Sequence, residues 1–175
     1  MAPTLRRLIL ATMLALTGCA AAAPRAHEHG AARLDVAVDG GTLSITLQAP
    51  LDGFTGFERT PRTDAERRTA AEVLARLKDG AALFRPDAAA GCSVAQASVS
   101  APVLEPGAAP AKGGHADLDA SYTFSCRSPQ ALRAIDVALF DAFRRLQRIE
   151  VQVAGAKGQS RLTLRRPARS VTLAR

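Results

Sequence analysis

The chain is poor in aromatic residues: it has no Trp, one Tyr and six Phe among its 175 residues. Aromatic platforms on which sugars or bases stack are therefore scarce. Beyond the N-terminal segment, no stretch approaches the roughly 18 uninterrupted apolar residues that a membrane-spanning helix needs. The mature chain is not expected to span a membrane.

The sequence also lacks the motifs that most often mark an enzyme. It has no Gly-x-Ser-x-Gly elbow, no His-Glu-x-x-His pair and no Gly-rich phosphate loop between a strand and a helix. Aspartates that could pair as acid and base sit beside strands, where carboxylates usually form a solvated face; they are Asp117, Asp119, Asp136 and Asp141. We predict that the protein is not an enzyme.

The N-terminus has the pattern of a secretion signal. Two arginines precede an apolar stretch at 8–16 that is too short to span a bilayer. Leu16-Thr17-Gly18-Cys19 fits the site at which bacteria attach lipid to Cys19, whereas ordinary cleavage in the following alanine run would discard that residue. The predicted organisation is a signal peptide at 1–18, a lipid-anchor spacer at 19–26 and one domain at 27–175.

Export to the periplasm affects how the net charge and the remaining cysteines are interpreted. The formal net charge is +7, but an exported protein is not expected to bind nucleic acid. Without Cys19, an even pair remains, Cys92 and Cys126. The oxidising envelope favours a disulfide between them, and the alternative is two buried free thiols.

Hydrophobic patterning predicts an α+β fold. Leu34, Val36 and Val38 alternate before a hairpin turn at Asp39-Gly40. Thr63 and Glu66 form a capping box that begins one main helix, Asp64 to Asp79, with Gly80 as its stop. Further strands are predicted at 92–103, 117–126, 135–140, 147–153, 161–164 and 170–173. Consecutive hairpins with one helix packed on them indicate a mostly antiparallel sheet.

Histidine is rare, and two of the three histidines lie in His27-Glu28-His29. Residues two apart on an extended chain point the same way, so both imidazoles could reach one metal ion. His115 and Asp117 share a strand face and could complete the set, with Glu28 as a further carboxylate. Imidazole with carboxylate suits zinc, with copper and nickel as competitors. The alternative is that all three histidines are solvated.

A basic C-terminal edge is the remaining feature. Its arginines either discourage pairing with other chains or contact an anionic membrane; they are Arg161, Arg165, Arg166, Arg169 and Arg175.

Several stretches together resemble the ZrgA-like family of periplasmic zinc-binding proteins. The stretches are His27-Glu-His-Gly-Ala-Ala-Arg-Leu-Asp-Val, Leu51-Asp-Gly-Phe-Thr-Gly-Phe-Glu, Ser121-Tyr-Thr-Phe-Ser-Cys and Leu139-Phe-Asp-Ala-Phe-Arg-Arg-Leu-Gln. The last of them continues into Ile149-Glu-Val-Gln. The resemblance implies a small periplasmic domain that binds zinc through histidines, with His27 and His29 at the family's opening positions. It also implies a role beside a zinc ABC importer, and it matches Cys92 and Cys126 to a cysteine pair.

The chain departs from the family at the loop before the strand that ends in Cys126. That place often holds a His/Asp/Glu-rich loop, but here residues 105–114 are rich in Ala and Gly and only His115 follows.

The sequence therefore predicts a periplasmic, lipid-anchored zinc-binding protein that assists zinc acquisition. The alternative is an envelope adaptor or assembly lipoprotein without metal, acting through a sheet edge or the basic edge. The expected partners are zinc, a zinc importer and the membrane through the lipid anchor; the oligomeric state, a dimer included, is open.

Overall fold

The computed structural model describes residues 28–105, 107–108 and 116–173. In these ranges the strands are β1 (Ala31–Asp39), β2 (Thr42–Pro50), β3 (Phe84–Pro86), β4 (Cys92–Ser100), β5 (Asp117–Cys126), β6 (Ala134–Val137), β7 (Arg148–Gly155), β8 (Gly158–Arg165) and β9 (Ser170–Thr172). The α-helices are α1 (Asp52–Thr55), α2 (Asp64–Lys78), α3 (Gly80–Leu83) and α4 (Leu139–Ala142). None of the helices in these ranges is long and apolar enough to cross a membrane.

The strands form two sheets. The larger has the order β4-β5-β2-β1-β7-β8 and the smaller has the order β3-β6-β9. All pairs are antiparallel except β1 with β7, which is parallel. The predicted α+β fold with a mostly antiparallel sheet is confirmed, and so is the hairpin of β1 and β2. The neighbour of β2 on its other side is β5, so the sheet is not built from consecutive hairpins alone.

The core lies on one face of the larger sheet. The alternation seen in the sequence buries Leu34 and Ile45 completely or almost so. On the same sheet, the Tyr122 hydroxyl donates to the Leu77 carbonyl of α2 at 2.7 Å, and its ring lies 4.9 Å from the ring of Phe84 in β3. Helix α2 and the smaller sheet therefore cover the same face, and no described residue packs over the opposite face of the larger sheet, which alternates as the exposed side of its strands.

Gly80 has a different role from the one predicted. Helix α2 ends at Lys78 with Asp79 as its C-cap, and Gly80 begins the short helix α3 rather than ending α2 in a left-handed conformation. A Cβ at Gly80 would lie 2.7 Å from the Tyr122 ring. The glycine is therefore required by close packing against Tyr122.

Two predicted strands end earlier than expected. Strand β4 stops at Ser100, because Pro102 begins a 3₁₀ turn and has no amide hydrogen for a ladder. The predicted strand at 135–140 is β6 followed by α4, in which Leu139 and Phe140 are buried. A short apolar run has the same appearance in a buried strand and a buried helical turn, so the pattern did not separate them.

The capping box of α2 is extended by an arginine. The Thr63 hydroxyl accepts from the Glu66 amide at 3.1 Å, and the Glu66 carboxylate accepts from the Arg62 amide at 2.6 Å. Arg59 adds two parallel hydrogen bonds to Glu66, at 2.7 and 2.9 Å. These bonds, from Arg59 first and then from the Arg62 amide, lower the pKa of Glu66 from 4.5 to about 2.

A carboxylate with a lowered pKa stabilises the folded state above its unfolded pKa, and that contribution is lost as pH falls through the folded pKa. We therefore expect thermal unfolding of the wild type between pH 4.5 and pH 2 to shift downward more steeply than that of Glu66→Gln. Melting temperatures followed by circular dichroism at several pH values test this. Glu72→Gln, at an exposed position of the same helix, should keep the wild-type slope; equal slopes for all three proteins would contradict the prediction.

Candidate metal site

The described chain begins with a turn over residues 28–31. The Glu28 carbonyl accepts a hydrogen bond from the Ala31 amide at 3.1 Å, and Gly30 has a φ of +70°. A positive φ at the third position is what a type II turn requires. The extended chain predicted for His27-Glu28-His29 is therefore wrong at its described end: His29 lies at the corner of a turn, just before β1 begins at Ala31, and His27 lies outside the described residues.

Gly30 is held closely against the chain that leads into β7. Its carbonyl accepts from the amides of Gln147, at 2.7 Å, and Arg148, at 3.1 Å. A Cβ on Gly30 would lie 3.0 Å from the Arg145 carbonyl oxygen. Both the backbone conformation and the available space therefore require glycine directly after His29.

The facing segment follows β2. The Leu51 amide donates to the Ala116 carbonyl at 2.9 Å, which fixes the start of α1 against the residue before β5. Helix α1 ends in a left-handed Gly56, whose amide donates to the Asp52 carbonyl at 2.9 Å. This tight reversal places Asp52 at the beginning of the segment and Glu58 just beyond its end on the same side.

His29, Asp52 and Glu58 converge on one point. The His29 Nδ1 atom lies 2.8 Å from Asp52 Oδ2 and 3.8 Å from Glu58 Oε1. One potential ligand atom from each of the three residues lies within 4.8 Å of the others. The imidazole is 68% exposed, whereas the side chains of Asp52 and Glu58 are 23% and 9% exposed. Two largely buried carboxylates thus face one accessible imidazole.

The Asp52 carboxylate is not fully satisfied within the described ranges. Its Oδ1 atom is buried and accepts no hydrogen bond from the described residues. A buried carboxylate oxygen is costly unless a donor or a cation meets it. The donor set of one imidazole and two carboxylates is one that zinc accepts.

The structure separates the predicted ligands. Glu28 and Asp117 line a groove on the solvent face of the larger sheet, and His29 does not line it. The Glu28 carboxylate is bound there by Arg148. His27 and His115, like Cys19, lie outside the described residues. A role for Glu28, Asp117, His27 and His115 in metal binding stays a prediction.

The comparison with protein families adds the chemical context. A family model described as "ZrgA family zinc uptake protein" matches residues 26–173. The chain belongs to the ZrgA family. The resemblance inferred from its sequence is confirmed, and a function related to zinc follows. The ZrgA match covers His27, both segments of the candidate site and the whole described fold. No curated protein matches the chain.

Sequence reasoning missed Asp52 and Glu58. Both lie in Leu51–Glu58, one of the stretches that resembles the ZrgA family, but nothing local in that stretch relates it to the histidines. The sequence does contain a signal: an Asp two residues after the end of a strand, a Gly four residues later and a Glu two residues beyond that Gly. Only the packing of α1 against the turn brings these carboxylates to His29.

The predicted disulfide is confirmed. Cys92 and Cys126 face each other in the register of β4 and β5, and their sulfur atoms are 2.01 Å apart. The alternative of two free thiols is wrong. A disulfide is typical of proteins outside the cytoplasm, which agrees with the predicted export.

Gly30→Ala should destabilise the protein more than Gly40→Ala does. Each substitution puts alanine at a positive φ, +70° and +52°, which costs about 1–2 kcal/mol. Nothing lies within 4 Å of a Cβ at Gly40, whereas a Cβ at Gly30 meets the Arg145 carbonyl, which adds about 1 kcal/mol or more. Urea unfolding of both variants measures the difference. Equal losses would show that the turn before β1 yields freely.

Proposed function

We propose that this protein is an exported, lipid-anchored zinc-binding protein that holds Zn²⁺ for uptake, at a site formed by His29, Asp52 and Glu58 with His27 as the fourth ligand. The convergence of His29 Nδ1 with two carboxylates carries the proposal. The match to a family of zinc uptake proteins supports zinc as the cargo. An importer that receives the metal belongs to the same proposal.

The distances suit a tetrahedral ion. Ligand atoms around zinc, at about 2.0–2.2 Å from the metal, lie roughly 3.4 Å from one another. The two distances from His29 Nδ1, 2.8 Å to Asp52 and 3.8 Å to Glu58, bracket that value. Small side-chain shifts would therefore produce zinc geometry. These two distances do not discriminate against copper(II) or nickel(II); the match to a family of zinc uptake proteins is what favours zinc.

The unequal exposure of the three side chains supports an exchangeable site. The carboxylates of Asp52 and Glu58 are largely buried, whereas the His29 imidazole is open to solvent. A metal bound there would be reached from solvent on the side of the exposed imidazole, and displacement of that one ligand would open a coordination position. Such a site can receive zinc and release it to an importer.

His27 is the proposed fourth ligand because it lies one residue before Glu28, next to the turn that carries His29. His115 is the competitor for the same position. It precedes Ala116, whose carbonyl is bonded to the Leu51 amide beside Asp52. Either imidazole would complete a four-ligand set, and single variants distinguish them.

Calorimetry on tag-free protein should show about one equivalent of Zn²⁺. Removal of a direct ligand by His29→Ala, Asp52→Asn or Glu58→Gln should weaken binding by at least about 100-fold, since outer residues alone contribute 10- to 100-fold. Asp119→Asn, which removes an exposed carboxylate on β5, is the matched control and should bind normally. Of His27→Ala and His115→Ala, the variant that binds zinc more weakly has lost the fourth ligand.

Two results would contradict this site. Full zinc affinity in the Asp52→Asn/Glu58→Gln double variant would place the metal elsewhere. A wild type that binds no zinc would reject the zinc-binding function itself and favour the metal-free adaptor.

The anchor is proposed on Cys19. Two or three acyl chains at this cysteine would hold the protein stably on the membrane, whereas one chain gives only marginal binding. Labelled palmitate should enter the wild type and Ala22→Ser, but not Cys19→Ala. An unlabelled wild type recovered in the soluble periplasmic fraction would reject the anchor and leave the zinc site unaffected.

A further inference from the structure

One residue, Arg148, holds the His29 turn on both sides. Its guanidinium binds the Glu28 carboxylate on the N-terminal side of His29. Its backbone amide donates to the Gly30 carbonyl on the C-terminal side, at 3.1 Å. The turn is closed between these contacts by the hydrogen bond from the Ala31 amide to the Glu28 carbonyl, at 3.1 Å.

The sheet places Arg148 at this position. Strands β1 and β7 pair in parallel, and Ala31 lies directly beside Arg148 in the register. Arg148 is only 22% exposed, and its guanidinium also lies 3.3 Å from the Glu150 carboxylate of the same strand. The position of the Arg148 guanidinium is therefore fixed by the sheet and by Glu150, independently of its contact with Glu28.

We propose that the ion pair of Arg148 and Glu28 is a clamp that positions His29 for zinc, so that Glu28 acts through Arg148 and not as a ligand. The inference rests on the zinc function proposed above. Glu28 is not a member of the group of ligand atoms around His29, and its carboxylate lies in the groove on the solvent face of the sheet. Arg148 and Glu28 are positioning residues.

A clamp of this kind changes zinc affinity rather than global stability. Exposed ion pairs contribute little to folding, and Glu28 is 60% exposed. The pair restricts a turn at the start of the described chain, and a turn that is already ordered loses less conformational entropy when the metal binds. The expected signature is weaker zinc binding with an almost unchanged melting temperature.

The sign of the Arg148 effect separates the clamp from simple electrostatics. Removing a positive charge near a cation site should tighten zinc binding if charge alone matters. Loss of the clamp should weaken it. Arg148→Gln therefore tests opposite expectations in one measurement, and Arg148→Lys, which keeps the charge, should recover most of the binding.

The decisive experiment is a double-mutant cycle read by zinc calorimetry. Glu28→Gln and Arg148→Gln should each weaken binding by about five- to tenfold, and the double variant should bind no worse than the weaker single variant. Arg33→Gln, which removes an arginine paired with Asp35 on the same sheet face, is the matched control. Multiplied losses in the double variant would overturn the clamp, and a loss of about 100-fold or more in Glu28→Gln alone would make Glu28 a direct ligand.

Amide hydrogen exchange in the metal-free protein gives a readout independent of zinc. The Ala31 amide should exchange faster in Arg148→Gln than in wild type or Arg33→Gln, because its acceptor is the Glu28 carbonyl. Wild-type affinity in Arg148→Gln would reject the clamp while leaving the zinc function intact. A wild type without zinc binding would reject the zinc function and the positioning role together, and the exchange data would then show whether the clamp is purely structural.

Discussion

The parallel pairing of β1 with β7 is the constraint on which the candidate site depends. The register that sets Ala31 beside Arg148 makes the larger sheet continuous from β4 to β8. It also brings the chain before β7 against Gly30, so that the turn carrying His29 is bonded to the sheet. Because Gly30 has no Cβ, the two backbones approach closely, and the position of the His29 backbone follows from this packing.

Elements set by local rules could be predicted from the sequence. The Asp39-Gly40 hairpin, the Thr63–Glu66 capping box and strand β5 follow from residues close together in the chain. Elements decided by distant partners could not. The parallel pair, the helical turn α4 and the packing of Gly80 on Tyr122 depend on what approaches from elsewhere, and no local pattern carries that information.

The same division applies to the site. Histidine is rare in this chain, so His29 could be predicted as a ligand from the sequence. Asp52 and Glu58 belong to a common residue type, and carboxylates are usually solvated. They matter because helix α1 and the left-handed turn at Gly56 bring the two carboxylates close to the imidazole and largely bury them. Predicting that convergence required the placement of α1 against the β1 turn, which is a tertiary contact.

Binding of a cation is compatible with the positive net charge of this chain, because distant charges are screened. The formal charge of +7 is spread over the whole sequence, and exposed charges more than about 8 Å apart are largely screened at physiological ionic strength. A zinc ion at His29 would respond chiefly to the carboxylates of Asp52 and Glu58, which are within direct contact distance and partly shielded from water. The net charge of the protein therefore says little about the attraction that these two nearby carboxylates exert on a bound cation.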